Sequence, residues 1–195
     1  MEEAEALAQF RDTGALLEGH FILSSGRRSG TYLQCARVLM HADRSAALCQ
    51  ALAAKIRSAL GADALDLVVS PAMGGVIVGY ELGRQLGLPA IFTERVDGAF
   101  MVRRGFEIAP GARVIMAEDI VTTGKSSREC IDCIQSLGGN VVAASCLIDR
   151  SGGEVDLGVP LFSLARLTIP TYEATALPPD LAALDAVKPG SRGLA

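Results

Sequence analysis

Short, continuous apolar runs alternate with helical segments along most of this chain. Residues 43–60 repeat their apolar positions at helical spacing, with Asp43 as the predicted N-cap and Gly61 ending the helix. Strands that are apolar throughout are typical of parallel sheets buried on both faces. The pattern therefore predicts an α/β fold in which helices flank a central, mostly parallel sheet. Strands are predicted over residues 65–69, 88–93, 113–117, 140–148 and 161–167, and further helices over residues 5–11, 76–86 and 126–137.

Three segments depart from this alternation. Residues 20–33 mix strand-forming residues with a polar turn that carries two arginines, which favours a hairpin-like cap over a core element. Residues 94–107 are predicted to form a polar, glycine-containing hairpin. From residue 170 onward, the composition predicts a Pro- and Ala-rich tail. Because no repeat or linker interrupts the chain, we expect a single domain over residues 1–195.

The composition is typical of a folded chain, since 50% of the 195 residues are hydrophobic and 21% are charged. A formal net charge of −4 and the lack of Trp argue against a general nucleic-acid binder. The N-terminus is acidic, and the uncharged stretches are too short to span a bilayer. We therefore expect a cytoplasmic protein that has no nucleic-acid or membrane partner.

The five cysteines are predicted to be free thiols, because their number is odd and no export signal precedes them. Cys130 and Cys133 form a C-x-x-C pattern inside a predicted helix. Without a second ligand pair, we interpret them as helix residues one turn apart.

One stretch carries most of the chemical information. The predicted strand of residues 113–117 is followed directly by Glu118 and Asp119, and a Thr-Thr-Gly-Lys-Ser turn over residues 122–126 then opens a helix. Backbone N–H groups at a helix N-terminus suit a phosphate dianion, while adjacent carboxylates suit sugar hydroxyls or a divalent cation. The stretch is therefore predicted to bind a phosphorylated sugar.

The stretch allows two other interpretations. A nucleoside-triphosphatase P-loop requires a glycine five residues before Gly124, but Asp119 stands there. Alternatively, Glu118 and Asp119 could be a solvated strand end that caps the next helix.

Two further loops are expected at the same edge of the sheet, where ligands bind to such folds. Residues 70–75 are either a tight turn that needs positive φ at Gly74 or Gly75, or a loop whose backbone approaches a phosphate closely. Arg150 follows Asp149 at the end of a strand. It either pairs with Asp149 at the surface or binds a planar carboxylate or carbonyl group.

These residues resemble the type I phosphoribosyltransferases, and more narrowly their orotate-specific members. Residues 118–126 resemble the ribose-phosphate motif of the whole superfamily. The orotate-specific likeness rests on an N-terminal hood and on Asp149 with Arg150, and it covers about residues 13–172. The stretches that carry the likeness are residues 14–21, 25–27 with Tyr32, 71–75, 118–126 and 149–150.

The resemblance implies a magnesium-dependent transfer of ribose 5-phosphate from 5-phosphoribosyl 1-diphosphate to orotate. The products would be orotidine 5′-monophosphate and pyrophosphate, in pyrimidine biosynthesis. It also implies a homodimer in which the lid, residues 94–107, serves the neighbouring subunit's site, and a hood over about residues 13–40. Magnesium would be carried by the diphosphate, with no direct protein ligand.

The resemblance also assigns roles to individual residues. Asp119 and Arg95 are the expected catalytic residues, and Arg103 and Arg104 are lid candidates. Thr122 and Arg150 would contact orotate, while Tyr32 and Leu33 would cover it. The expected phosphoribosyl diphosphate site comprises Glu118, Asp119, Ile120, Val121, Thr122, Thr123, Gly124, Lys125 and Ser126.

The chain departs from the family pattern at three places. Ser24 stands where other members carry a hood lysine, Met73-Gly74 replaces an aromatic-lysine pair, and the lid is short and offers only arginines. A short-lid branch of the family shares such changes. They leave two alternatives open, namely a non-enzymatic regulator that senses the ribosyl donor and an enzyme that uses a purine base.

Overall fold

The computed structural model describes residues 1–23 and 25–189, so Ser24 and the last six residues lie outside the described chain. The strands are β1 (Leu16–Ile22), β2 (Arg28–Leu33), β3 (Leu67–Pro71), β4 (Ala90–Val96), β5 (Ala99–Val102), β6 (Arg113–Val121), β7 (Asn140–Asp149), β8 (Leu161–Arg166), β9 (Thr171–Tyr172) and β10 (Ala186–Val187). The helices are α1 (Glu3–Asp12), α2 (Ala36–Leu39), α3 (Ala42–Leu60), α4 (Gly75–Leu86), α5 (Lys125–Ser136) and α6 (Pro179–Ala182).

The described strands form two separate sheets. The larger, central sheet has the order β5-β4-β3-β6-β7-β8. Its strands run parallel except β5, which pairs antiparallel with β4 at the edge. Helix α4 connects β3 to β4 and helix α5 connects β6 to β7, as crossovers between parallel strands usually do. The predicted α/β fold with a mostly parallel sheet is confirmed.

Apolar side chains cover the central sheet on both faces. Consecutive residues of one strand enter different clusters, so Val68 packs with α3 and α4 while Val69 packs on the side of α5. On the α3 side, Leu48, Leu52 and Ile56 repeat every four residues and are almost fully buried. Each such side chain stabilises the fold by roughly 1.5–3 kcal/mol when it leaves water. The continuous apolar runs in the sequence result from this two-sided burial.

The start of α3 differs from the prediction. His41 is the N-cap, with extended backbone angles of −93° and 106°, and Asp43 lies inside the first turn. A carboxylate there still interacts favourably with the positive end of the helix dipole. Gly61 ends the helix as predicted, with a φ of 93°.

Helix α4 packs closely on the central sheet because three of its buried residues, Gly75, Gly79 and Gly83, are glycines. A Cβ at Gly79 would lie 2.7 Å from the Cβ of Ser70, and one at Gly83 would lie 2.8 Å from the Cβ of Ala90. Both distances are shorter than carbon atoms tolerate without displacement. This contact fixes the start of α4 against the end of β3, where the loop of residues 70–75 lies.

The smaller sheet, here called the hood sheet, has the order β10-β1-β2-β9. Its two outer strands come from the C-terminal segment, which pairs with β1 through Ala186 and Val187 and with β2 through Thr171 and Tyr172. The prediction of a tail from residue 170 onward is therefore wrong. Strands of two residues produce no periodic signal, so pairing with a distant hairpin could not be detected from the local sequence.

No helix within residues 1–23 and 25–189 combines the length and apolar character needed to cross a membrane.

We predict that Gly79→Ala lowers the free energy of unfolding by about 1–2 kcal/mol, because the added methyl group overlaps Ser70 and overpacking outweighs the gain in helix propensity. Chemical denaturation measured by circular dichroism checks this. Gly30→Ala is the matched control, since a Cβ at Gly30 meets no atom within 4 Å. Equal stability of the two variants would show that α4 can move away from the sheet.

Candidate active site

Three loops meet at the carboxyl edge of the central sheet, as predicted. The backbone N–H of Arg150 donates to the carbonyl of Val121 at 2.8 Å, which joins the ends of β6 and β7. A Cβ at Gly74 would lie 2.8 Å from Oδ1 of Asp119, so the loop after β3 lies directly against the end of β6. One small region therefore contains the acid pair, Glu118 and Asp119, together with Gly74 and Arg150.

The acid pair belongs to β6, which extends four residues beyond the predicted strand. Glu118 pairs in register with Cys146 of β7, and Val121 is the last strand residue. Both acids are half-buried. They are therefore part of the sheet, and the alternative of a solvated strand end is wrong.

Burial controls the charge of the acid pair. Desolvation raises the pKa of Glu118 to about 7, although the Ser127 hydroxyl donates a hydrogen bond to its carboxylate. Desolvation also raises the pKa of Asp119, against the hydrogen bond that its Oδ1 accepts from the backbone N–H of Ile120 at 2.9 Å. Cys35 donates its thiol to the main-chain oxygen of Asp119 at 3.9 Å. The pair is thus costly to ionise without a ligand of opposite charge.

The turn of residues 122–126, here called the phosphate turn, has a left-handed glycine at its centre. Gly124 has a φ of 71° and is the N-cap of α5. A Cβ there would overlap Cγ2 of Val155 and lie 2.9 Å from Cδ2 of Leu157. Only glycine fits both the conformation and the space. The backbone N–H groups of the turn and of the first helical turn consequently remain together at the N-terminus of α5.

Arg128 stabilises the phosphate turn through hydrogen bonds to main-chain carbonyls. Its guanidinium donates to the carbonyl of Thr123 at 2.8 Å and to the carbonyl of Asp156 at 2.8 Å. The side chain of Lys125 points to solvent with an exposed fraction of 78%, 3.9 Å from the carboxylate of Glu129. Within the phosphate turn, Lys125 therefore contributes mainly its backbone N–H group.

The loop of residues 70–75 needs glycine for space and not for conformation. Gly74 has a φ of −55°, and Gly75 is not among the glycines of positive φ. A Cβ at Gly75 would lie 3.0 Å from the carbonyl oxygen of Ala117. The positive-φ interpretation of this loop is wrong, and the close-approach interpretation applies to contact with β6.

Arg150 does not form the surface pair with Asp149 that the sequence allowed. Asp149 is 1% exposed, and its Oδ1 accepts hydrogen bonds from the backbone N–H and the hydroxyl of Ser151 at 2.8 and 2.6 Å. Arg150 is half-buried, and its Nε has no hydrogen-bond partner among the described residues. Desolvation lowers the pKa of its guanidinium. A desolvated cation of this kind is suited to an anionic ligand.

A cavity of about 770 Å³ lies between the hood sheet and these loops. Thr122, Thr123 and Arg150 of the predicted site line it, as does Tyr32 of the hood. Its other described lining residues are Ile22, Leu23, Ser25, Arg27, Thr31, Gln34, Thr171, Lys188 and Pro189.

Two of the three arginines of the predicted lid, Arg95 and Arg104, form ion pairs away from the cavity. Arg95 forms an ion pair with Glu129 of α5, donates to the carbonyl of Gly98 at 2.7 Å and lies 4.1 Å from the ring centroid of Phe100. Arg104 forms a two-pronged ion pair with Glu94 at 2.7 and 2.9 Å. Neither these two nor Arg103 is among the described residues that line the cavity.

The sequence interpretation missed several residues that the structure brings to the site. Ser127 and Arg128 directly follow the motif, so their helical spacing was an available signal. Cys35, Thr171 and Lys188 are distant in sequence and reach the site only through tertiary packing. Thr171 and Lys188 lay in the segment that was interpreted as a tail.

No group of three or more His, Cys, Asp or Glu side chains that could hold a metal ion occurs in the described part of the chain. The five cysteines are free, as predicted, and Cys130 and Cys133 both lie in α5.

Comparisons with known proteins agree with this geometry. A family model described as "Phosphoribosyl transferase domain" matches residues 39–159. An orotate phosphoribosyltransferase of Maricaulis maris is 56% identical over 100% of both chains. Another, of Rhizorhabdus wittichii, is 59% identical and covers 98% of this chain and 97% of the relative.

Solved structures show the same likeness. The crystal structure of orotate phosphoribosyltransferase from Aeropyrum pernix superposes with a TM-score of 0.66 at 29% identity, covering 83% of this chain and 93% of that one. The matched family model, the full-length relatives and the shared architecture have one explanation: this chain belongs to the phosphoribosyltransferase family and, within it, to the orotate phosphoribosyltransferases.

Proposed function

We propose that this chain transfers ribose 5-phosphate to orotate in the cavity beneath the hood sheet, with the residue roles described below. The observation that supports this proposal is the meeting of the acid pair, the phosphate turn and Arg150 at one edge of the central sheet. Thr122, Thr123 and Arg150 line the cavity there, and the acid pair lies beside it on the same strand end. In the reaction, the bond from C1 of the ribose to the diphosphate breaks. A bond from C1 to a ring nitrogen of orotate forms.

The phosphate turn would hold the 5-phosphate. Gly124 and Arg128 fix its backbone, and the hydroxyls of Thr122, Thr123 and Ser126 add donors to the N–H groups at the N-terminus of α5. The helix dipole stabilises negative charge at this end. Because Lys125 points to solvent, the charge of the phosphate would be met mainly by this dipole and by hydrogen bonds.

The acid pair would bind the ribose hydroxyls. As the diphosphate leaves, positive charge develops on the ribosyl ring, and carboxylates beside it stabilise that charge. Half-buried acids with raised pKa values are poorly solvated, so their interaction with a cationic centre is stronger than it would be in water. We therefore assign the main catalytic contribution to Asp119, which also lies against Gly74.

Arg150 and Thr122 would bind orotate, with Tyr32 and Leu33 of β2 covering its ring. The unpaired Nε of Arg150 supplies a donor to a carboxylate or carbonyl oxygen of the base. A neutral purine offers no carboxylate to this guanidinium, so Arg150 favours orotate over a purine substrate.

The residues fit a magnesium ion that arrives with the diphosphate. The described chain offers Glu118 and Asp119 side by side but no cluster of three or more metal-binding side chains. Such a site leaves most ligands to substrate oxygens and water, as magnesium prefers. When bound, the ion would neutralise the charge of the departing diphosphate.

Arg95 is our candidate for a second catalytic residue, acting on the site of its own subunit, whereas the rest of the lid would serve the neighbouring subunit's site. Its ion pair with Glu129 keeps it next to the N-terminus of α5, close in the fold to the phosphate turn. Exchange of Glu129 for a substrate phosphate oxygen would bring the cation to the diphosphate. Arg103 and Arg104 would assist when the lid, residues 94–107, closes and excludes water.

A homodimer is consistent with the exposed apolar residues at the start of α4. Met73, Ile77 and Tyr80 follow one another at helical spacing, with exposed fractions of 86%, 46% and 68%. Contiguous apolar surface of this kind typically marks a protein interface. We propose that a second copy of the chain covers this apolar surface. We also propose that the protein acts in the cytoplasm, where free cysteines are the normal state.

We predict that the protein with magnesium and 5-phosphoribosyl 1-diphosphate depletes the ultraviolet absorbance of orotate, and that Asp119→Asn lowers this turnover at least about 100-fold. The reason is that the amide cannot stabilise the ribosyl cation. Asp132→Asn, an exposed acid of α5, is the control and should keep full turnover. A wild-type chain without turnover at saturating substrates would overturn the proposed function, and normal turnover in Asp119→Asn would overturn the assigned role.

For the lid, we predict that Arg95→Gln raises the KM for the ribosyl donor and lowers kcat, so that kcat/KM falls about tenfold or more. In contrast, Arg104→Gln should change kcat/KM less than about threefold. Steady-state kinetics with the donor varied at fixed orotate separates the two effects. Larger losses in Arg104→Gln than in Arg95→Gln would reverse this assignment.

The raised pKa of Glu118 predicts a pH dependence of stability. The unfolded chain releases this proton near pH 4.5, while the folded chain holds it until about pH 7. Stability therefore falls as the pH rises from 4.5 to 7, by up to about 3 kcal/mol from this residue. Glu118→Gln should remove that slope in urea titrations of the ligand-free protein. An unchanged slope would mean that Glu118 is ionised throughout.

A further inference from the structure

The C-terminal segment, residues 171–189, closes one side of the cavity. It contributes β9 and β10 to the two edges of the hood sheet and α6 between them. Thr171 at one end of the segment and Lys188 at the other both line the cavity. The likeness on which the sequence analysis relied ends at about residue 172, so it assigns no role to Lys188.

Three neighbouring residues in the C-terminal segment fix the backbone position of Lys188 at the cavity wall. The preceding residue, Val187, pairs in register with Phe21 of β1. The Nδ1 of His20 donates to the carbonyl of Leu184 at 3.0 Å, and Leu181 of α6 is buried with 6% exposure. These anchors lie within seven residues of Lys188. Its backbone is therefore fixed by the hood and not free in solution.

The described wall of the cavity is strongly cationic. It contains Arg27, Arg150 and Lys188, and none of its described residues is acidic, although the whole chain has a net charge of −4. Arg27 is partly neutralised, because it forms an ion pair with Glu173 just outside the wall and donates to Thr171 Oγ1 at 2.8 Å. Among the described residues, Arg150 and Lys188 therefore carry the positive charge of the cavity wall that no acidic residue neutralises.

We propose that Lys188 is a specificity-determining residue that acts with Arg150 to bind the carboxylate of the pyrimidine base. This inference rests on the proposed function and extends it to a residue outside the family motifs. Lys188 from the C-terminal segment and Arg150 from the loop after β7 line the same cavity, so two cations from different parts of the chain would meet one carboxylate. A pyrimidine that lacks the carboxylate would leave both cations without a partner.

The phosphate of the substrate is the competing target for the Lys188 ammonium, because Thr122 and Thr123 of the phosphate turn line the same cavity. Two product nucleotides separate these cases. Orotidine 5′-monophosphate and uridine 5′-monophosphate carry the same 5-phosphate and ribose and differ only in the carboxylate of the base. A contact to phosphate affects both ligands, whereas a contact to the carboxylate affects only the first.

The experiment is isothermal titration calorimetry of both nucleotides with the full-length wild type, Lys188→Met and Lys188→Arg. We expect Lys188→Met to weaken orotidine 5′-monophosphate binding about tenfold and uridine 5′-monophosphate binding less than twofold, as for loss of one charge-assisted hydrogen bond. Lys188→Arg should stay within about threefold of wild type, since it keeps the charge. Lys55→Met is the matched control, because Lys55 binds the Ser163 carbonyl at 2.7 Å and does not line the cavity.

Equal weakening of both nucleotides in Lys188→Met would overturn the proposal in favour of a phosphate contact or a structural role. Unchanged binding of both would overturn it as well. Since the measurement needs no turnover, it is independent of the orotate assay. A wild type that prefers orotidine 5′-monophosphate but lacks turnover would refute the proposed transfer and leave the carboxylate site intact.

Discussion

The contact between Gly74 and Asp119 is the constraint on which the site depends. The loop after β3 comes so close to the end of β6 that no side chain fits between them. This approach is possible because α4 also lies close to the sheet, with Gly79 against Ser70 and Gly83 against Ala90. Glycines on one helix face thereby set the distance between two loops that come from different strands.

The close packing around the end of β6 also raises the pKa values of the acid pair. Asp119 and Glu118 lose water on the side where the loop and α5 cover them, and their pKa values rise. A ligand that brings positive charge would therefore be bound by acids that have little solvation left to lose. Acids with raised pKa values are common among catalytic groups, and this supports the role proposed for the acid pair.

The hood sheet is built differently from the central sheet. The central sheet is parallel and buried on both faces, whereas the hood sheet is small and joins β1 and β2 with two short strands from the C-terminal segment. Its function in the proposed reaction is to cover the cavity and supply cations from above. Because β10 is only two residues long, the contacts of His20 and Leu181 are needed to keep the C-terminal segment in place.

The sequence alone determined the α/β class, the parallel sheet and the residues of the acid pair and phosphate turn, because apolar periodicity and a contiguous motif are local properties. It misjudged the N-cap of α3, the extent of β6 and the reason for the glycines at 74 and 75. Those features depend on distances to other segments, which no local pattern contains.

Only the tertiary structure decided that the Nε of Arg150 has no partner among the described residues, that Arg95 contacts Glu129, and that the C-terminal segment belongs to the hood. Each results from pairing between residues far apart in the chain. A two-residue strand or a single arginine has no periodicity of its own, so its partner is set by the packing of the whole fold.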